Sequence, residues 1–146
     1  LAGLTYQRLI PVLCPDCKQN LMQLADKNPT LRRQAVPDDV YKRLQGVITD
    51  LDTVFVQGEG CPTCQNQGFV RQTVAAEVIA TDQKMLALLR LNRTPEAYDY
   101  WVQEQNGLSY VRHAVQLVQE GLADPLQTEL RLGVPLNFDK SFGGIR

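Results

Sequence analysis

The chain has 146 residues, 44% apolar and 21% charged, with a formal net charge of −1 at pH 7. That length holds one medium domain or two small ones around a real core, and the composition excludes a disordered or fibrous chain. No run of 18 apolar residues and no signal-peptide pattern occurs, so membrane insertion and export are not expected.

In chain order, residues 1–10 read as the end of a helix with Leu1, Leu4, Tyr6, Leu9 and Ile10 on its apolar side. Pro11, which cannot donate to a helix ladder, ends it. The chain opens at Leu1 without an initiator Met and with this apolar segment already under way, so a fragment of a longer polypeptide is expected. Val12 and Leu13 lead into Cys14-Pro15-Asp16-Cys17. Leu21, Met22 and Leu24 then predict one or two amphipathic turns, closed at Asn28-Pro29. A short helix is predicted over 37–44, with Pro37 at its first position, Asp38 and Asp39 complementing its dipole, Val40 and Leu44 inward, and Gly46 as its stop. Residues 53–56 are β-branched and aromatic and predict a strand, after which Gly58-Glu59-Gly60 turns into Cys61-Pro62-Thr63-Cys64.

From 69 to 80 the pattern alternates, Val74, Ala76 and Val78 against Thr73, Ala75 and Glu77, and predicts a strand that pairs with 53–56 as a small hairpin. Beyond it the sequence is helical. Thr81 caps a helix carrying Met85, Leu86, Leu88, Leu89 and Leu91, and Thr94-Pro95-Glu96 opens a second with Ala97, Tyr98, Trp101 and Val102 on one face. Residues 109–120 predict a third, with Val111, Ala114, Val115 and Val118, and Asp124-Pro125 caps a fourth that runs to about 132. Residues 134–146 form a tail that docks through Phe138 and Phe142 or stays mobile.

The chemistry concentrates in the four cysteines, arranged as two Cys-x-x-Cys knuckles. Two residues between thiols bring both sulfurs of a knuckle onto one small sphere, and two knuckles supply the tetrahedral sulfur cage that Zn2+ prefers. Pro15 and Pro62 stiffen each turn. Residues 18–60 separate the knuckles, against about 15–20 residues in an ordinary zinc ribbon, which leaves room for a small subdomain. Two disulfides fit poorly, because disulfide scaffolds are short and cysteine-dense, and a thioredoxin-like centre needs only one such pair. Cys14, Cys17, Cys61 and Cys64 are therefore the expected zinc ligands, and reduced metal-ready cysteines point to the cytoplasm.

Other chemistry is sparse. No Gly-Lys dipeptide occurs, so the phosphate-binding Gly-x-x-x-x-Gly-Lys loop is missing, and the Gly58, Gly60 pair lacks the third glycine of a dinucleotide fingerprint. The single histidine, His113, lies far from the knuckles and reads as a packing or surface residue. Trp101 with Tyr98 and Tyr100 offers an aromatic face, though such helical spacing is that of a core. Arg32-Arg33 reads as a solvated pair rather than a phosphate contact. Between Cys14 and Cys64 six basic residues meet seven acidic ones, so no basic nucleic-acid face is expected.

These residues resemble a family. Tyr6-Gln7-Arg8-Leu9 followed by Leu13-Cys14-Pro15-Asp16-Cys17-Lys18 looks like the Gln-Arg-Leu segment and first knuckle of the assembly ATPases of type II secretion and type IV pilus systems. Gly60-Cys61-Pro62-Thr63-Cys64, Gly68-Phe69 and Glu77-Val78 resemble the family's second knuckle with its Gly-aromatic pair and later Glu. Ala114, Gly121 and Asp124-Pro125 fall where the family has a late Ala, a Gly and a final capped helix. The chain departs at Arg71-Gln72, where Gly-Arg is common.

The resemblance implies the C-terminal part of a hexameric ATPase, with a structural zinc ion, and with ATP and Mg2+ only in a catalytic domain upstream of Leu1. This piece would not hydrolyse ATP alone. Its expected partners are neighbouring ATPase subunits and an inner-membrane platform protein, with no nucleic acid and no direct membrane insertion, and the piece itself is expected to be a monomer or weak dimer. Arg8 lies nearest the catalytic part but reads as a solvated residue. The expected fold is α+β, with a zinc-tipped β-hairpin subdomain over 1–80 that includes the preceding helix, a bundle of short helices over 81–133 and the tail. The alternatives are a stand-alone zinc-ribbon-like module for nucleic acid, a chaperone-type module for polypeptide, and an independent enzyme.

Overall fold

The structure, a computed structural model, describes residues 2–139 and the backbone of Gly144–Ile145. In order, the chain forms β1 (Gly3–Leu13), β2 (Gln19–Asn20), α1 (Leu21–Lys27), α2 (Pro29–Ala35), α3 (Asp38–Val47), β3 (Phe55–Val56), β4 (Phe69–Ala80), α4 (Gln83–Arg90), α5 (Thr94–Glu104), α6 (Tyr110–Gln119), α7 (Pro125–Leu132), β5 (Phe138–Asp139) and β6 (Gly144–Ile145). It is the mixed α and β architecture expected. Among the described residues no helix is long and apolar enough to cross a membrane.

The first expected helix is a strand. β1 pairs antiparallel with β4 from Gly3↔Ala80 to Leu13↔Phe69, so residues 69–80 find their partner here and not in 53–56. The physical reason lies in a period of two. Ile10 and Val12, with Ala75 and Glu77 across the ladder, face the protein and are almost fully buried, while Leu9 and Val78 face outward at 52% and 67% exposure. Pro11 does not interrupt the strand. Ala76 turns its N–H away from β1 to His113, which makes Gln7↔Ala76 a non-hydrogen-bonded pair. Pairs alternate along an antiparallel ladder, so Pro11↔Gln72 is of the same kind and the missing proline N–H falls on the open side of the ribbon.

The insert differs in detail. Residues 51–53 form a 3-10 turn, and the strand expected over 53–56 shrinks to β3, paired with β2. α2 was not expected; it starts on Pro29 behind an Asn28 cap whose side chain accepts from Leu31 N–H. α3 continues through Gly46 to Val47, so that glycine does not stop it. The C-terminal helices fall close to expectation, except that Asp82, not Thr81, caps α4 by accepting from Met85 N–H.

The main core joins both halves of the chain. Ile10 of β1, Leu21, Val40 and Leu44 of the insert, and Val111, Val118 and Leu132 of α6 and α7 form one buried cluster. A second, smaller cluster holds α4 to α5 through Met85, Ala97 and Trp101. The core therefore runs across the expected boundary at residue 80. In the tail, Leu136 is buried and Phe138 packs against the main core, whereas Phe142 lies outside the described residues.

Because Leu44 is fully buried at the centre of the shared core, Leu44→Ala costs about 2–5 kcal/mol in urea unfolding. Leu91→Ala, at a residue 67% exposed, stays within about 0.5 kcal/mol of wild type in the same measurement.

Candidate metal centre

The ribbon brings the knuckles together. β1 runs straight into Cys14, and β4 begins just after Cys64, so the Leu13↔Phe69 pairing places both knuckles at one end of the ladder. Cys14 N–H donates to Gly68 O at 2.9 Å, which continues the pairing past the strands. The second knuckle is a 3-10 turn over Pro62–Cys64, entered from an extended Cys61 and left through Gln65 and Asn66 at φ 54° and 62°. Thr63 Oγ1 donates to Asp16 Oδ2 at 2.5 Å, tying the third residue of one knuckle to the third of the other.

Two glycines let the backbones close around the site. Gly58 backs onto the first knuckle so tightly that a Cβ there would lie 1.8 Å from the Cys17 carbonyl oxygen. Gly68 has φ +81°, and a Cβ would meet Gln57 Cγ at 2.6 Å. Its amide is thereby aimed at Cys64 Sγ, 3.1 Å away.

All four sulfurs lie within 4.8 Å of one another, and the thiols are free. Cys14 and Cys61 sulfurs are 3.6 Å apart, Cys17 and Cys64 3.8 Å, and Cys61 and Cys64 3.8 Å. A disulfide needs about 2.05 Å. A metal at the centre of a sulfur tetrahedron, with bonds of about 2.3 Å, requires edges of about 3.8 Å, and these three of the six match it.

The environments of two of the sulfurs differ in sign. Burial opposes a Cys64 thiolate, but the amides of Gly68 and Cys61, the latter 3.4 Å away, outweigh it and bring the pKa down to about 6. Burial, reinforced by the neighbouring sulfurs, pushes Cys17 up to about 12. Cys14 and Cys64 are buried and Cys17 and Cys61 half-buried, so the cage sits just under the surface.

The other singled-out residues do not approach the cage. His113 Nδ1 accepts from Ala76 N–H at 3.0 Å and docks α6 on the open edge of β4. Trp101 is core, tilted against Tyr98, and Tyr100 donates to Asp82. Arg32 packs over Tyr41, pairs with Asp38 at 2.9 Å and donates to Val36 O, so it is a structural residue rather than a solvated one. Arg33 is exposed beside Asp38, and Arg8 and Arg71 are exposed on the ribbon.

Several braces carried no sequence signal. Lys18 Nζ donates to Gly121 O at 2.8 Å while lying over the Phe55 ring, and Leu13 N–H donates to Leu122 O. Asp124, legible as a cap, uses its other oxygen to accept from Gln57 N–H at 2.8 Å. These contacts clamp the turn between α6 and α7 onto the metal end of the ribbon.

The fold and cage define an α+β domain whose β-ribbon is closed by a four-cysteine cluster able to hold a metal ion. The chain belongs to the type II/IV secretion system protein family, whose model matches residues 1–130. It is 26% identical over 121 residues to an Escherichia coli K12 protein described as type II secretion system protein E, an alignment covering 83% of this chain and 22% of that protein. It is 25% identical over 126 residues to the Vibrio cholerae type II secretion system ATPase E, covering 82% of this chain and 22% of the relative. The chain thus spans about a fifth of the length of these curated relatives.

Gly68→Ala strains a left-handed backbone and pushes on Gln57, moving the amide that supports Cys64. Metal affinity should fall about 10–100-fold, the range for loss of a partner that orients a ligand, in competition with a chromophoric chelator.

Proposed function

We propose that Cys14, Cys17, Cys61 and Cys64 hold one structural zinc ion, and that the chain is the non-catalytic C-terminal part of a hexameric secretion or pilus-assembly ATPase. The sulfur separations of 3.6–3.8 Å carry the zinc reading. Four thiolates suit a borderline-soft ion without geometric demands of its own, and they fill its tetrahedral shell. No position is left for water or substrate, so the ion is structural rather than catalytic.

The family and the Vibrio cholerae relative's name support a parent that hydrolyses ATP. These residues contain no Gly-Lys phosphate loop, which supports placing ATP and Mg2+ in another part of the parent. In this reading the domain meets neighbouring subunits and an inner-membrane platform protein, and passes ATP-driven motion to them from the cytoplasmic side. The zinc holds the long insert to the ribbon so that the contact surface keeps one shape. The clamp of Lys18 and Asp124 on the turn after α6 supports transmission through the helices.

Two measurements test this. Native mass spectrometry of the reduced chain should show one zinc ion per polypeptide, with no ATP turnover by the chain alone; a folded, metal-free species or intrinsic turnover contradicts the proposal. In the full-length parent, Cys61→Ser with Cys64→Ser should leave nucleotide binding intact and abolish co-purification with the cytoplasmic part of the platform protein. Retention of that partner by the variant would remove the docking role.

A further inference from the structure

The cage is also placed for oxidation across the knuckles rather than within them. Cys61 is half-buried, and its sulfur lies 3.6 Å from that of buried Cys14, closer than the 3.8 Å between Cys61 and Cys64. The second cross-knuckle pair repeats the arrangement, with half-buried Cys17 3.8 Å from buried Cys64. Once Cys14 and Cys61 are joined, Cys17 and Cys64 are the two sulfurs that remain, and they have only each other to pair with.

We propose that a peroxide converts the cage into two cross-knuckle disulfides, Cys14–Cys61 and Cys17–Cys64, releasing the metal while keeping the end of the ribbon closed. Hydrogen peroxide transfers one oxygen to the Cys61 thiolate, giving a sulfenic acid and, with a proton, one water. The Cys14 thiolate attacks that sulfur, the S–O bond breaks, and the hydroxide leaves as a second water with another proton. Two thiolates, one peroxide and two protons become one disulfide and two waters. A second peroxide does the same at Cys17 and Cys64. Disulfide sulfurs no longer bind the ion as thiolates do, so it departs. The new bonds span the same separation of 47 residues as the metal, so they restrain the same loop.

The inference rests on the proposed metal site, and its test separates the two. The wild-type chain is treated with hydrogen peroxide, released zinc is read with a chromophoric chelator, and the product is digested with trypsin without reduction. Trypsin cuts after Arg8 and Lys18 and after Arg43 and Arg71, so each knuckle leaves in its own peptide. The expected result is stoichiometric loss of zinc and one cross-linked species joining the two peptides. Fragmentation between Pro15 and Asp16, and between Pro62 and Thr63, should assign Cys14 to Cys61 and Cys17 to Cys64. Thiol reductant with zinc should restore the starting mass.

Separate peptides, each with an internal disulfide, would overturn the proposal, as would sulfinic or sulfonic products in place of disulfides, or full zinc retention. A starting protein without zinc overturns the metal site alone, because the peptide map then still decides the pairing.

Discussion

Closure of one end of a two-stranded ribbon is the constraint on which the rest of this domain depends. β1 and β4 are held by their ladder, but residues 14–68 leave and return at the same end, and an isolated two-stranded ribbon is marginal in water. Four sulfurs from the two departure points meet within 4.8 Å, the size of a metal's coordination shell. The entropy of closing so long a loop grows only logarithmically with its length, while a structural zinc site contributes about 10–16 kcal/mol of apparent binding free energy. A metal held there could therefore close an insert of this size, whose Leu21, Val40 and Leu44 join the core that Ile10 begins.

From the cage, restraint passes to the C-terminal helices through a few defined contacts. Lys18 and Leu13 bond the carbonyls of Gly121 and Leu122, and Gln57 bonds the Asp124 carboxylate. Gly121, at φ +75°, has no room for a Cβ because Phe55 and the Thr53 carbonyl are already there. At its other end α6 is fixed to β4, by Glu77 accepting from Tyr110 N–H and by His113 accepting from Ala76 N–H. The helix thus spans from the metal end of the ribbon to its middle. A contact made at one end is mechanically connected to the other.

The gathering of the four cysteines was more legible than the fold around them. The spacing of two Cys-Pro-x-Cys turns predicts that their sulfurs meet, and the geometry gathers all four. The cap at Asp124 was legible because a side chain acts on an amide three residues away. Residues 1–13 misled because Leu4, Tyr6, Leu9 and Ile10 also fit one side of a helix, and because a proline reads as a terminator unless the pairing that excuses it is known. α2 was hidden because none of its residues is buried, so it leaves no apolar stripe. The tertiary braces at Lys18, Gln57 and His113 depend on contacts between distant segments, which no local pattern encodes.

Whether four thiolates share one divalent ion is read by X-ray absorption at the zinc edge of the reduced protein. A four-sulfur site gives a single shell of sulfur scatterers at about 2.3 Å. A first shell containing nitrogen or oxygen, or fewer than four sulfurs, would contradict it.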